Sequence, residues 1–207
     1  GGWIEPRPVD RCAKVVMVPK DHKTLRMISA EPAHTQFIQQ GYRRELEKAM
    51  KRHRVFRHID ITDQQKQRDL LKKGSVATID LSCASDTIRV KHLLLLQLPL
   101  VLREHLLALR TVEQSFNGKR YLTQGLFPMG AAVCFPFETM LFFALAREYC
   151  FAETNRYPHT LGVYGDDIVI DDHVAGGFIN FLRRSAFIPN ESKSFVSGLF
   201  FETCGVH

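Results

Sequence analysis

The sequence lacks several features that would place it in particular classes of protein. No apolar run approaches the ~18 residues of a membrane-spanning helix, so we expect no membrane segment. It shows no signal-peptide pattern, internal repeat or low-complexity linker. It also has no initiator Met and ends abruptly at His207, and we interpret it as a piece of a longer polypeptide.

Cysteine is scarce and scattered. The five cysteines are Cys12, Cys83, Cys134, Cys150 and Cys204. Their number is odd and none forms a C-x-x-C pair, so the sequence predicts neither a disulfide scaffold nor a zinc site. We expect them to be small buried residues of a protein in a reducing compartment.

What is present is a large apolar fraction and an uneven charge. The 207 residues are 45% hydrophobic, enough for one domain, or one large domain with an appendage. The net charge is +6, and residues 1–58 hold 13 Lys and Arg against 6 Asp and Glu. This basic region is either a solvated surface or a surface for polyanions such as nucleic acid or triphosphates.

Periodicity predicts a mixture of strands and helices. Expected strands cover residues 13–18, 76–81, 161–164 and 168–170, and Asn117-Gly118 indicates a type I′ hairpin. Expected helices cover about 33–52, 64–73, 88–98, 100–109, 131–149 and 174–185. In the first helix, Phe37/Ile38, Tyr42, Leu46 and Ala49/Met50 recur at helical spacing and should form its apolar face. This order suggests an α+β sheet with helices on one face.

The stretch 163–170 carries the clearest chemical signal. Gly165 permits a tight turn, and the adjacent carboxylates of Asp166 and Asp167 lie at its tip between apolar strands. Asp80, at the end of its own predicted strand, is the natural third carboxylate. Carboxylates from separate strands that meet at one sheet edge are the arrangement that two-metal phosphoryl transfer requires. The alternative is a plain solvent-exposed turn.

Two further patterns accompany the carboxylates. Lys20, Lys23 and Arg26 place three cations at intervals of three in one hairpin-like excursion. Asp86 follows Asp80 by six residues and could accept a hydrogen bond from a ribose hydroxyl. It could equally be a helix N-cap before Thr87-Ile88.

In their order and spacing these blocks resemble viral RNA-dependent RNA polymerases, and are most similar to the replicase catalytic subunit of leviviruses, the single-stranded RNA bacteriophages. The blocks are Val18-Pro19-Lys20 with Lys23-Thr24, Arg26 and Glu31-Pro32; Asp60-Ile61-Thr62-Asp63-Gln64; Thr78-Ile79-Asp80-Leu81-Ser82 with Ala84-Ser85-Asp86; Met129-Gly130 with Phe135-Pro136-Phe137-Glu138; Tyr164-Gly165-Asp166-Asp167; and Phe187, Asn190, Lys193-Ser194-Phe195, Phe200, Glu202 and Cys204-Gly205.

The resemblance implies a right-hand polymerase fold without its thumb. Residues 1–75 would be a fingers-derived segment with a basic motif that binds the nucleoside triphosphate (NTP). Residues 76–207 would be the palm, an antiparallel sheet with helices packed on one face. Both would form one continuous catalytic domain.

The resemblance also implies roles for individual residues. Asp80 and Asp166, assisted by Asp167, would bind two Mg²⁺ ions, for which Mn²⁺ could substitute. The nucleotide-binding residues would be Lys20, Lys23, Arg26, Asp86 and Gly130. Lys193 would protonate the leaving pyrophosphate, although the residue alone is equally well interpreted as a surface lysine. Pro128 and Ala131 stand where Ser and a small polar residue are common, so ribose selection should rest more on Asp86 and on the loop backbone.

The implied function is RNA-templated RNA synthesis in viral genome replication. Its partners would be RNA template and product, NTPs, and by family resemblance host translation factors and a ribosomal protein. It would act in the cytoplasm of the infected bacterial host, without a membrane partner. Two alternatives stay open: a reverse transcriptase-like palm polymerase, against which Asp86 argues, and a non-catalytic RNA-binding fragment.

Overall fold

The computed structural model describes residues 10–20, 24–56, 59–196 and 203. The seven strands within these residues are β1 (Ala13–Pro19), β2 (Leu25–Ala30), β3 (Val76–Ile79), β4 (Glu113–Phe116), β5 (Lys119–Leu122), β6 (Leu161–Tyr164) and β7 (Asp167–Asp171). The helices are α1 (Ala33–Arg52), α2 (Gln64–Leu70), α3 (Ala84–Thr87), α4 (Val90–Leu95), α5 (Leu100–Leu109), α6 (Cys134–Thr154) and α7 (Asp172–Arg184).

A three-stranded antiparallel sheet of order β3-β7-β6 lies at the centre of the fold. Ile79 pairs with Ile168, and Tyr164 pairs with Asp167 across a two-residue turn. All four residues of β3 are buried, as expected of a strand covered on both faces. The register brings the end of β3 to the same edge of the sheet as the β6–β7 turn.

Helices cover this sheet unequally. Helices α6 and α7 contact each other and the sheet, and most of the apolar core lies there, including the fully buried Phe142 and Phe178. Leu70 at the end of α2 packs with Val76 and Val169 in a smaller cluster. Because Val76 and Val169 alternate with core-facing neighbours, α2 lies on the opposite face. The predicted α+β class is confirmed, with α2 as an additional cover.

The second sheet has the order β2-β1-β4-β5. Strand β1 is antiparallel to β2 and parallel to β4, while β4 and β5 form the predicted hairpin. Asn117 and Gly118 both have positive φ, 49° and 76°, as a type I′ turn requires. This sheet draws strands from both sides of residue 75, and the division into 1–75 and 76–207 stays a prediction.

Several predicted helices have different bounds. Of the predicted 88–98 helix only α4 (Val90–Leu95) forms, and the separate α3 precedes it, because Arg89 bridges Gly125 and the Leu126 N–H donates to the Ile88 carbonyl at 2.8 Å. These loop contacts use backbone groups that a continuous helix would need internally. Helix α6 starts at Cys134, so Pro136 falls in its first turn and does not kink it.

Helix α1 has the predicted bounds but not the predicted apolar face in its first half. Phe37 is 81% exposed and Ile38 is 58% exposed, whereas Gln39 is fully buried. Gln39 Nε2 donates to the Leu109 carbonyl at 3.0 Å, and its Oε1 accepts from the Ala132 N–H at 2.9 Å. A buried amide with both groups satisfied therefore takes the place expected for an apolar side chain.

The cysteine prediction holds only in part. Cys134 and Cys150 are buried, but Cys12 is half-buried and Cys83 is exposed. Cys83 lies in a turn with φ of 52°, which holds its side chain outside the core. None of the helices in the described part of the chain combines the length and apolar character needed to cross a membrane.

Replacing Gln39 with Leu should destabilise the fold. Leu fills a similar volume but leaves the Leu109 carbonyl and the Ala132 N–H without their partner, at about 1–3 kcal/mol for each buried polar group. Urea denaturation should show a lower midpoint for Gln39→Leu. Gln40→Leu, at the neighbouring half-buried position, is the control, and an equal loss in both variants would contradict the role of Gln39.

Candidate active site

Residues of α6 hold the β6–β7 turn in place. Gly165 has φ of +64°, and its N–H donates to Thr139 Oγ1 at 2.9 Å. A Cβ at this position would lie 2.6 Å from Phe135 Cε2, so the ring leaves room only for glycine. Phe135 also contacts Tyr164 edge-on, with 4.8 Å between ring centroids. Asp166 is thus presented by a turn with little freedom.

Asp80 is held by the segment that follows α7. Asn190 Nδ2 donates to Asp80 Oδ2 at 2.8 Å, and the Asn190 N–H donates to the Asp80 carbonyl at the same distance. The Asp80 N–H in turn donates to Ser194 Oγ at 3.2 Å. These contacts leave Asp80 Oδ1 for another partner. The sequence pattern that contains Asn190 and Ser194 does not by itself indicate that either residue positions Asp80.

The pKa of Asp166 responds to several of the other predicted residues. Burial raises the pKa of Asp166, and the nearby Asp80 carboxylate raises this pKa further. Lys20 and Arg26 act on the same pKa in the opposite direction. Two carboxylates from separate segments and two cations from the β1–β2 hairpin therefore act on one another electrostatically, and their predicted roles stay predictions.

The absence of a side chain at Gly130 allows β2 of the basic hairpin to pack closely against the loop at residues 129–130. Its φ is 109°, and a Cβ there would lie 2.2 Å from the Ser29 carbonyl oxygen and 2.8 Å from Ile28 Cγ2. The Ser29 N–H donates to the Met129 carbonyl at 2.8 Å, which joins β2 to this loop. Arg26 lies two residues before Ile28 and therefore projects from the same face of β2. Lys23, the third predicted cation, lies outside the described residues.

Asp86 is neither of the helix caps in its neighbourhood. It lies within α3, whose N-cap is Cys83, and the N-cap of α4 is Arg89. The N-cap alternative for Asp86 is therefore wrong. Partial burial raises the pKa of Asp86 although the residue as a whole remains exposed. Its role in ribose recognition stays a prediction.

Glu138 is a site residue to which the sequence reasoning gave no role. It is 6% exposed on α6, and its Oε1 is buried without a hydrogen-bond partner among the described residues. Burial, with the charges of Asp166 and Asp86, raises the pKa of Glu138 to about 8. Burial and the same carboxylates raise the pKa of the Cys134 thiol, one turn earlier. The sequence feature that could have indicated this residue is a charged side chain within a strongly apolar predicted helix.

The remaining predicted residues lie close to this centre. Asp167 begins β7, and its carbonyl accepts from Gln67 Nε2 at 3.2 Å. Lys193 is exposed in the turn after Asn190, to whose carbonyl its N–H donates at 3.2 Å. Within the described ranges, no three His, Cys, Asp or Glu side chains are placed so that they alone could hold a metal ion. The roles of Asp167 as a metal ligand and of Lys193 as a proton donor stay predictions.

A comparison with models of known protein families identifies the family of this chain. The model described as RNA replicase, beta-chain, matches residues 7–207. The chain belongs to this family. The levivirus resemblance is thereby confirmed.

Curated relatives of this replicase-family chain are phage proteins. It is 37% identical over 200 residues to the RNA-directed RNA polymerase subunit beta of Enterobacteria phage SP, covering 94% of the chain and 34% of that protein. It is 34% identical over 197 residues to the RNA-directed RNA polymerase beta chain of Escherichia phage MS2, covering 93% and 35%. The chain spans about a third of the length of these relatives.

Solved structures confirm the polymerase palm. The RNA-dependent RNA polymerase of a human picorbirnavirus, as an insertion-loop deletion mutant, matches with a TM-score of 0.61 at 15% identity, covering 89% of this replicase-family chain and 42% of that structure. Telomerase from Candida albicans matches with a TM-score of 0.60 at 13% identity, covering 95% and 44%. The shared fold alone does not separate RNA from DNA synthesis.

Replacing Gly165 with Ala should lower the free energy of unfolding. A non-glycine residue in the left-handed region costs about 1–2 kcal/mol, and the contact with Phe135 adds to this. Gly41→Ala is a control of opposite sign, because Gly41 lies within α1 with open space around it and Ala favours a helix by about 0.5–1 kcal/mol. Thermal denaturation of both variants measures the difference, and a stable Gly165→Ala protein would contradict this account of the turn.

Glu138 should make the fold less stable as the pH rises. Between its usual pKa of 4.5 and about 8, the folded chain holds a proton that the unfolded chain releases. The free energy of unfolding therefore falls through this window, by up to ~1.4 kcal/mol per pH unit. Glu138→Gln removes this dependence, so its stability should fall less between pH 5 and 8.

This measurement is made by urea denaturation in buffer with EDTA, so that no cation alters the pKa. Glu153→Gln, at an exposed position on the same helix, is the control and should keep the pH dependence of the parent. Parallel curves for the parent and Glu138→Gln would contradict the elevated pKa.

Proposed function

We propose that this chain is the nucleotidyl-transfer core of an RNA-directed RNA polymerase that replicates a viral genome. The observation that carries the proposal is the meeting of Asp80 and Asp166 at one edge of the palm, with Lys20 and Arg26 acting on Asp166 from the β1–β2 hairpin. Carboxylates beside cations suit a reaction between a metal-bound triphosphate and a hydroxyl. The names of the phage relatives support the same activity.

The donor set fits Mg²⁺. Asp80 and Asp166 would hold two ions with the assistance of Asp167, and Mn²⁺ could take their place. Mg²⁺ prefers carboxylate, water and substrate phosphate ligands to a closed protein cage, so these aspartates together with the phosphates of the substrate would suit it. When bound, the two ions stabilise the attacking and leaving oxygens of an in-line displacement.

The protein residues position the reactants. The 3′ hydroxyl of the nascent RNA attacks the α-phosphorus of an NTP, forming one P–O bond and breaking the bond to pyrophosphate. Lys20, Lys23 and Arg26 neutralise the triphosphate, because Arg suits bidentate phosphate contact and Lys supplies a point charge. Lys193 gives its proton to the leaving pyrophosphate.

Asp86 recognises the ribose in this proposal. Its carboxylate accepts a hydrogen bond from the 2′ hydroxyl, while Pro128 and Ala131 offer no side-chain hydrogen bond from their loop. Contact between α3 and α6, together with the effect of the Asp86 charge on the pKa values of Glu138 and Cys134, supports a position of Asp86 near the start of α6. The ribose would therefore lie between α3 and α6.

The partners are part of the same proposal. They are an RNA template, its RNA product and NTPs, together with host translation factors and a ribosomal protein that the family resemblance implies. The place of action is the cytoplasm of the infected bacterial host.

Asp80→Asn and Asp166→Asn should each abolish Mg²⁺-dependent, template-directed nucleotide addition. Loss of one carboxylate should lower the rate by roughly 100-fold or more, because charge stabilisation in the transition state is lost. RNA affinity should persist, since it depends on Lys and Arg contacts to phosphates. Asp172→Asn, in the first turn of α7, is the control and should stay active. Normal addition by either site variant would contradict the two-metal assignment.

The telomerase likeness keeps reverse transcription as a second candidate. A reverse transcriptase favours a bulky apolar residue that excludes the 2′ hydroxyl, so Asp86 speaks for ribonucleotides. Competition between ribo- and deoxyribonucleotides in the same assay decides between the two. A non-catalytic RNA-binding fragment predicts instead that Asp166→Asn leaves every measurable activity unchanged.

A further inference from the structure

A cavity of about 220 Å³ opens at the end of the palm sheet away from the carboxylates. It is lined by Leu161, the first residue of β6, whereas the Gly165-Asp166 turn follows the last. At about 3.3 Å for each strand residue, four residues separate the two places by roughly 13 Å. The cavity is therefore distinct from the proposed active site.

The lining combines an apolar floor with a cationic rim. Phe143 and Leu161 are buried at the floor, and Arg54 and Lys73 are exposed at the rim. Arg147 also borders the cavity, and its guanidinium carbon lies 3.6 Å from the centroid of the Tyr157 ring. None of the described lining residues is acidic, although Glu148 pairs with Arg147 from outside the cavity.

The rim is held in place before any ligand arrives. The buried Asp171 carboxylate accepts hydrogen bonds from the backbone N–H groups of His159 and Thr160, at 2.8 and 2.9 Å. Tyr157 stacks on Phe151 with 4.8 Å between centroids and remains 50% exposed. Phe151 and Arg147 lie on opposite faces of this ring, so Tyr157 borders the cavity with a fixed, exposed edge that loses little entropy on binding.

The size of the cavity restricts the ligand. It is smaller than the ~300–1,000 Å³ of sites that enclose a whole small molecule, so it accommodates one ring or side chain of a longer polymer. The cations at the rim favour an anionic polymer, because they attract its negative charges. Aromatic surfaces beside cationic grooves are the usual means of holding single-stranded nucleic acid without sequence preference.

We propose that this cavity is a second RNA site, which holds one nucleotide of a single strand away from the catalytic carboxylates. The base enters the cavity over the apolar floor and contacts the exposed edge of Tyr157, and Arg54 and Lys73 bind the flanking phosphates. The choice of RNA as the polymer rests on the proposed function. Occupation of the site does not require nucleotide addition.

The test measures binding of a fluorescent single-stranded RNA oligonucleotide to the full chain by anisotropy at several salt concentrations. Lys73→Glu/Tyr157→Ala should weaken affinity by about tenfold or more, because the variant reverses the charge at a phosphate contact and removes the aromatic ring that borders the base. The slope of log affinity against log salt should fall by about 0.7 for each lost phosphate contact. The matched control is Lys119→Glu/Tyr121→Ala on β5, where Tyr121 is 52% exposed.

A photocrosslink gives an answer that does not depend on the folding of a variant. A 4-thiouridine oligonucleotide irradiated with the parent chain should label the peptide that contains Tyr157, and the Asp166→Asn chain should give the same label. Labelling elsewhere only, equal weakening by both double variants, or parent-like affinity of the pocket variant would overturn the proposal. So would displacement of the oligonucleotide from Tyr157 by polyglutamate at lower concentration than by unlabelled RNA, which would assign the cavity to an acidic peptide. Failure of the proposed function is seen separately, as normal nucleotide addition by Asp166→Asn with the label unchanged.

Discussion

The site depends on keeping two carboxylates of like charge close together in a partly buried place. Burial and the charge of Asp80 both disfavour the ionised form of Asp166, and unfolding would relieve both effects. The chain opposes this with directed contacts: Asn190 on Asp80, Thr139 under the β6–β7 turn, and the paired strands that bring the two segments to one edge. The cations of the β1–β2 hairpin act in the same direction as these contacts, so the second sheet contributes electrostatically to the first.

Helix α6 contributes to the core, to the β6–β7 turn, to the carboxylate site and to the cavity. Its residues fill the core at Phe142, anchor the turn at Thr139 and place Glu138 beside the carboxylates, and Arg147 reaches the cavity at the other end of the sheet. Such a helix cannot shift for one purpose without affecting the others, because packed interiors are dense and transmit displacement. The same rigidity makes the geometry of the site a property of the core.

The sequence was informative where short-range rules decide the structure. Alternating apolar residues, Gly165 and Asn117-Gly118 located the hairpins, and the position of Asp80 at the end of its own predicted strand indicated it as the partner of Asp166. It was uninformative where distant partners decide. Gln39 is buried because the Leu109 carbonyl and the Ala132 N–H satisfy its amide, whereas Phe37 is exposed. Helical periodicity cannot predict this exchange, because it contains no information on partners from distant parts of the chain. Asn190 reaches Asp80 across 110 residues, and Glu138 acquires its raised pKa only from carboxylates brought to it by the fold.

The parallel pairing of β1 with β4 bears on the order of folding. It joins Ala13 to Gln114 and Lys14 to Ser115, contacts that close a loop of about 100 residues, and loop closure over such distances is slow because its entropy is lost before the contacts form. During synthesis, β1 can pair with β2 at once, but the four-stranded sheet cannot be completed until residues 113–122 have been made. The basic hairpin is therefore made well before β4 and β5, and it reaches its final neighbours in the sheet only after those strands have been made.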